Sequence, residues 1–483
     1  MSTSKRFAKN SLALTIASLS ITFLGAIYRI FIAKYLGDVE FGKYSFITTY
    51  VSYFSALSLF GLRYVITREV ARSPEKCPSI LRESIKIRGL TTSLAFGSAY
   101  VILLFLGKGT DVQVGVFIYG LSLFAVAAMD IVEGLIVARE ASFYITISAL
   151  VSNALKIFIG ITALALGYGL MAILVIYLAI SILNTSLSWW FCHIVFSDVR
   201  STKSRPDPHL RQFLIHESIP FLFLALLSRV YYKNDIILLS IFKTDRIVGW
   251  YSAAYLPVDA LLVVASSISL AAYPLMSKLF GEDSNNLKNF SNSLSKYLLM
   301  LFIPVAITLT AVGPQLMRLI FGKSYATAMP VLQLLGWMPV AEVVTCGMGN
   351  VLSATYNQQI TARVTVLNAA INLGICLLLI PKYSYWGGAI GTVVSAYITL
   401  AIVTWVVNRH ILKVDWLSNI VKPLVCALFA LAALLLAANS IGPWLSWLIG
   451  LATFAIATLV TGTFRRYDRD LILSIFRKSR TSE

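Results

Sequence analysis

Residues 38–45, DVEFGKYS, return as DRIVGWYS at residues 245–252. Asp38, Gly42, Tyr44 and Ser45 pair with Asp245, Gly249, Tyr251 and Ser252 at an offset of 207. A second stretch repeats in the same order at an offset of 215. There Gly134, Ile145, Thr146, Val151, Asn153 and Ala154 pair with Gly349, Ile360, Thr361, Val366, Asn368 and Ala369. Two matched stretches at nearly equal offset read as the duplication of one unit. The nature of that unit follows from the sequence between the copies.

That sequence is apolar. Hydrophobic residues make up 58% of the 483-residue chain and charged residues 13%. A soluble protein carries about a quarter charged residues. Apolar runs fall at about 10–34, 44–66, 89–107, 113–136, 142–165, 167–192, 213–238, 248–274, 293–318, 328–355, 360–381, 384–407, 420–438 and 443–463. Each reaches roughly 18 residues or more, enough for a hydrocarbon core about 30 Å thick. Lipid admits only helices or closed barrels, because every backbone polar group must be satisfied internally. Continuous rather than alternating apolar runs select helices. The chain therefore reads as an all-α polytopic membrane protein with about 14 transmembrane helices. The first run follows Lys5, Arg6 and Lys9 but lacks a small-residue cleavage site, so it reads as a retained helix.

The repeat offset spans six helices, an even number, so both copies enter the membrane from the same side. They read as parallel repeats related by an axis along the membrane normal. This divides the chain into an N-lobe (1–200, helices 1–6) and a C-lobe (201–410, helices 7–12). An extra helix pair (411–465, helices 13 and 14) and a basic tail (466–483) follow. Two parallel six-helix lobes suggest a transporter holding its substrate between them.

Lys and Arg counts set the orientation. With the N-terminus inside, and with Lys296, Arg363 and Lys422 at run ends counted as inner and Lys34 as outer, the inner segments hold 27 basic residues, the outer segments seven and the helices six, which accounts for all 40. A missed helix would reverse the bias beyond it, yet the bias persists to the end of the chain. Both termini are expected in the cytoplasm, in a cell (inner) membrane. The net charge of +18 then reflects topology and contact with anionic lipid, with no call for nucleic acid. The five cysteines, Cys77, Cys192, Cys346, Cys376 and Cys426, form no CxxC motif, so no metal or redox site is expected. GKGT at 107–110 lacks the rest of a nucleotide loop. The outer loops are too short for a catalytic domain, and no enzymatic activity is expected.

Four stretches carry a family resemblance: IAKYLGDVEFGKYSF (32–46), GLRYVITREVAR (61–72), KNDIILLSIFKTDRIVGWYSAAY (233–255) and IPKYSYWGGAIGTVVSAY (380–397). In this order they resemble polysaccharide flippases of the multidrug/oligosaccharidyl-lipid/polysaccharide superfamily. The resemblance covers most of the first twelve helices. It implies two six-helix lobes around a central cavity. It also implies a polyprenyl-(pyro)phosphate-linked oligosaccharide as substrate, moved from the cytoplasmic to the outer leaflet by alternating access. The product feeds surface polysaccharide such as O-antigen or lipopolysaccharide. Alternatives within the superfamily are a cation-coupled multidrug exporter and a lipid II flippase. No cofactor is expected, and H+ or Na+ antiport is proposed for relatives. Expected partners are the lipid-linked substrate, membrane lipids, and a polysaccharide polymerase and glycosyltransferases. The protein is expected to be a monomer.

Ionisable groups inside apolar runs are costly and mark function by default. The basic candidates are Arg29, Arg63, Lys156, Arg229, Lys233 and Arg318. Lys156 lies near the middle of helix 5, too deep to reach either surface easily. Arg229 and Lys233 are four apart on helix 7 and are expected to share a face, with Arg29 as a facing partner from the other lobe. Such a set suits a phosphate-bearing substrate, since Arg offers a bidentate fork and Lys a point charge. The competing reading is internal pairing or snorkelling, favoured for Arg63 and Arg318 near helix ends. The acidic, ion-coupling candidates are Asp130, Glu133, Asp235, Asp259 and Glu342. Asp130 and Glu133 are three apart on one face and could share a proton, or pair with Arg63 or Arg139. Asp259 follows Pro257, whose ring frees a carbonyl beside it.

Overall fold

The computed structural model describes residues 3–196, 208–282, 284–413, 415 and 417–463, with backbone alone at 3–22, 208, 227–232, 282, 284, 417–418 and 439. The elements run α1 (Thr3–Leu59), α2 (Leu62–Arg72), α3 (Cys77–Phe105), α4 (Thr110–Ala138), α5 (Ser142–Ala165), α6 (Leu170–Val195), α7 (Pro208–Phe242) and α8 (Asp245–Glu282). Then follow α9 (Ser284–Ala311), α10 (Gly313–Phe321), α11 (Met329–Leu335), α12 (Met338–Ala354), α13 (Gln358–Tyr383), α14 (Tyr385–His410), α15 (Lys422–Ile441) and α16 (Pro443–Val460). Among the described residues none lies in a strand.

Twelve described stretches are long and apolar enough to cross a bilayer. The first, Phe23–Arg72, has 50 residues and turns at Gly37, whose φ of 75° and ψ of 177° leave the helical region. Glycine takes that positive φ without a Cβ clash, so one continuous element supplies two crossings. The 35-residue α7, part of whose side chains lie outside the described residues, is not among the twelve. Large apolar side chains face outward along these helices, among them Phe105, Leu378, Leu436 and Val460, each more than three-quarters exposed. In a membrane such surface meets lipid rather than water.

Contacts group the chain into two compact units, one of Met1–Leu256 with Cys376–Gly388, the other of Pro257–Ile375 with Ala389–Glu483. In the first unit α4 packs on α6, α5 on α6 and on α1, and α1 on α3 and α7. One apolar cluster joins α2, α3, α4 and α6 through Leu62, Ile66, Ile80, Ile87, Ile131 and Cys192. A second joins α1, α3, α4 and α6 through Phe46, Tyr50, Ala99, Leu103, Val116 and Leu174, with the Tyr50 hydroxyl donating to the Ala99 carbonyl at 2.8 Å. In the second unit α9 packs on α12, α15 and α16, and α15 packs on α16. The extra helix pair is thus anchored on α9, where Trp447 Nε1 donates to Thr308 Oγ1 at 2.9 Å.

The repeated residues meet one another. A Cβ built on Gly42 would lie 1.8 Å from the Asp245 carbonyl oxygen, and one on Gly249 would lie 1.8 Å from that of Asp38. The contact is reciprocal, glycine of one copy against aspartate backbone of the other. Trp250 Nε1 donates to Asp38 Oδ2 at 3.0 Å, and Arg246 Nε lies 3.4 Å from the same oxygen. These bonds hold the start of α8 on α1 just after the Gly37 turn.

Three helix boundaries differ from the apolar runs. α3 begins at Cys77, not near 89, because charged residues can extend a helix beyond the apolar stretch. Lys86 and Glu83 pair one turn apart at 2.7 Å, and Arg211 joins Glu83 at 2.7 Å. The run 293–318 ends as a helix at Ala311, and α10 restarts at Gly313 with proline in its first turn. The run 328–355 is broken at Gly336 and Trp337, and α12 also starts with proline in its first turn. Proline fits there because the N–H it lacks would be unsatisfied anyway.

Candidate functional site

The site is built on α1, α5 and α6 of the first unit. Arg29 and Tyr28 are adjacent on α1, Tyr44 follows the Gly37 turn, Lys156 comes from α5 and Tyr177 from α6. Together with Gly25 and Ile173 they line a cavity of about 250 Å³. Two cations and three phenols face one space, and among its described lining residues there is no carboxylate. Gly160 makes room for one of the phenols, since a Cβ there would fall 2.0 Å from the Tyr28 hydroxyl oxygen. Lys156 Nζ donates to Asn153 Oδ1 at 2.7 Å, one turn back on its own helix. The amide fixes the direction of the ammonium without neutralising it. Tyr177 stacks on Tyr119 of α4, with ring centroids 4.4 Å apart, which fixes the ring.

The structure brings Arg29 to Lys156, in the same unit, where they line one cavity. The Arg229 side chain lies outside the described residues. The expectation that Arg229 and Lys233 share a face assumes a regular helix. α7 is kinked at Lys233 itself, with φ −147° and ψ 21°, so the four-residue spacing no longer sets a common face. Lys233 Nζ sits 4.1 Å from the centroid of the Tyr255 ring, a cation–π contact. Arg318 is exposed on the short helix α10, at the end of its run rather than within a spanning helix.

The acids of the first unit are engaged. Glu133 Oε2 lies 2.5 Å from Arg63 Nη1. Asp130 pairs with Arg88, a residue the apolar runs assign to a loop. Arg88 is in fact buried on α3 and also donates to the Ser58 carbonyl at 3.0 Å. Each carboxylate thus has its own guanidinium, and the picture of two acids sharing one proton gives way to two ion pairs. Asp235 is buried and accepts a hydrogen bond from the Tyr251 hydroxyl at 2.5 Å. In the second unit Asp259 is half-buried on α8. Glu342 is buried on α12, with Cys346 Sγ 3.9 Å away.

Reasoning from charge alone missed Arg88 and the polar, uncharged residues of the site. Arg88 was legible by periodicity, for Cys77, Ser84, Arg88, Thr92, Ala95 and Ala99 fall on one buried face of α3. Tyr44 and Asn153 were legible too, since both belong to the repeated stretches.

The helical layout has close counterparts among solved structures. A lipid II flippase, MurJ, in an inward closed conformation, superposes with a TM-score of 0.73 at 15% identity, over 95% of this chain and 100% of that one. An inward-facing multidrug resistance transporter of the MATE family gives 0.64 at 14% identity, over 81% and 97%. At these identities the likeness establishes the fold: this is a multi-pass membrane protein with a flippase and multidrug-transporter architecture. The family model described as "Polysaccharide biosynthesis protein" matches residues 7–280, more than half of the chain, and the chain belongs to that family. It is 23% identical over 400 residues to a probable low-salt glycan biosynthesis flippase of Haloferax volcanii, covering 80% of each chain. It is 26% identical over 179 residues to a putative O-antigen transporter of Shigella dysenteriae, covering 36% of this chain and 43% of that one.

Proposed function

We propose that this protein is a flippase for polyprenyl-(pyro)phosphate-linked oligosaccharides. It carries them from the cytoplasmic to the outer leaflet of the cell membrane by alternating access, for surface polysaccharide synthesis. The observation that carries this reading is the cavity that Arg29 and Lys156 line together without a carboxylate. Two like charges facing one space in a membrane protein repel, the more so at low dielectric. An anion entering the cavity relieves that repulsion and gains charge-assisted hydrogen bonds. A phosphate or diphosphate headgroup supplies such an anion, with a guanidinium fork and an ammonium to receive it. Family membership and relatives named as glycan flippases support the cargo.

The same arrangement disfavours a drug exporter that takes cations, which this cavity would repel. The basic bias of the inner segments supports cytoplasmic termini and loading from the cytoplasmic leaflet.

The test is replacement of Lys156 by Ala in a cell that depends on this protein for its surface polysaccharide. Loss of one hydrogen bond to a charged group amounts to about 1.5–3 kcal/mol, or roughly a tenfold loss of headgroup affinity at the lower end. Surface polysaccharide is expected to fall at normal protein level, and Lys156→Arg is expected to restore part of it. Undiminished polysaccharide in Lys156→Ala would overturn the cationic-cavity reading.

A further inference from the structure

A second cavity, of about 170 Å³, lies beside the first and shares Lys156 and Tyr177 with it. Its chemistry is different. Ser152 lines it, is 2% exposed, and its hydroxyl has no hydrogen-bond partner. Asn153 and Asn184 add amides. Asn153 uses one N–H on the Ala149 carbonyl at 2.8 Å and its oxygen on Lys156, which leaves its second N–H available. Asn184 contacts the Met129 sulfur at 2.9 Å. Here a hydroxyl, two amides and the edge of an ammonium, together with Val126, Met129 and Ile180, line a space of about six waters, at ~30 Å³ per water. A buried hydroxyl left unpaired is unfavourable unless a ligand or water supplies the missing bond.

Given the proposal that a lipid-linked phosphate occupies the cationic cavity, we infer that this smaller cavity is the subsite for the sugar ring bonded directly to that phosphate. Two groups leave the phosphate of such a substrate, a polyprenyl chain and a sugar. Either one could enter the adjoining space, and the lining decides between them. A polyprenyl chain there would bury the Ser152 hydroxyl and the second N–H of Asn153 against hydrocarbon, with nothing to bond them. A sugar ring brings hydroxyls that both donate and accept. It fits a space of this size as a single ring, so the remaining sugars lie outside it. Tyr177, common to both cavities and held by Tyr119, stands at the junction between phosphate and ring.

The experiment uses the full chain in lipid nanodiscs and two probes of equal chain length. One is polyprenyl diphosphate, the other the same lipid diphosphate bearing one hexose. Affinities are measured for the unaltered protein, Ser152→Val, Ser152→Ala and Lys156→Ala. The unaltered protein should bind the sugar-bearing probe about tenfold more tightly. Ser152→Val should reduce that preference to threefold or less and leave the sugar-free probe unchanged. Should the valine impair folding, as read by thermal unfolding, Ser152→Ala carries the same expectation. Lys156→Ala should weaken both probes together. A sugar preference that survives both Ser152 variants, or no preference at all in the unaltered protein, overturns the sugar subsite. Insensitivity of both probes to Lys156→Ala instead overturns the phosphate reading beneath it.

Discussion

Arg88 and Lys156 are both cations on helices of the first unit, and they mark opposite uses of charge. Arg88 is spent on structure, bonded to Asp130 and to the Ser58 carbonyl. Lys156 is held by an amide and lines open space. Removing one partner of a buried pair leaves an uncompensated charge and costs about 3–5 kcal/mol. Arg88→Ala is therefore expected to lower the thermal unfolding temperature in detergent sharply, and adding Asp130→Ala should recover part of the loss. Lys156→Ala is expected to change stability by about 1 kcal/mol or less while weakening headgroup binding about tenfold. A large stability loss in Lys156→Ala would mark it as a structural residue. Lys156 was legible in the sequence because it interrupts the middle of an apolar run. Arg88 was legible only by the periodicity of α3, because it abuts the start of an apolar run and a hydropathy reading counts it with the loop.

At the scale of elements, glycines set how closely helices approach. Gly42 and Gly249 leave no room for a Cβ against the facing carbonyl oxygens, whereas a Cβ on Gly25 of α1 would meet nothing within 4 Å. Overpacking costs about 1–3 kcal/mol. Gly42→Ala and Gly249→Ala are expected to lower stability by that order, and Gly25→Ala to leave it nearly unchanged, as thermal unfolding would show. Equal effects at all three positions would contradict the tight crossing of α1 and α8. Gly160→Ala is expected to displace Tyr28 and weaken lipid-diphosphate binding with a smaller effect on stability. The sequence showed where the chain is apolar, which is where helices meet lipid, but not where helices begin and end. The charged first turns of α3 and the break at Gly336 before α12 lie beyond what hydropathy reports. The kink at Lys233 shows the same limit, since a spacing of four residues names a shared face only where the helix is regular.

For the molecule as a whole, the charge bias sets an expectation of sidedness that labelling would test. Lys382→Cys, in an expected outer loop, should react with a membrane-impermeant maleimide in intact cells, and Lys203→Cys should react only after permeabilisation. The reverse pattern would invert the topology. The many-helix membrane architecture and the matched stretches could be read from the sequence, yet the match stops short of the cation in the site. Asn153 pairs with Asn368, but the same offset carries Lys156 to Ile371. The cation thus lies beside the first of the matched stretches alone, with isoleucine at its place in the second. The contact between Gly42 and Gly249 is reciprocal, each glycine lying against the aspartate carbonyl that begins the other's stretch. A methyl group added on either side therefore meets backbone rather than a side chain that could turn away, and the crossing has no soft side on which to yield.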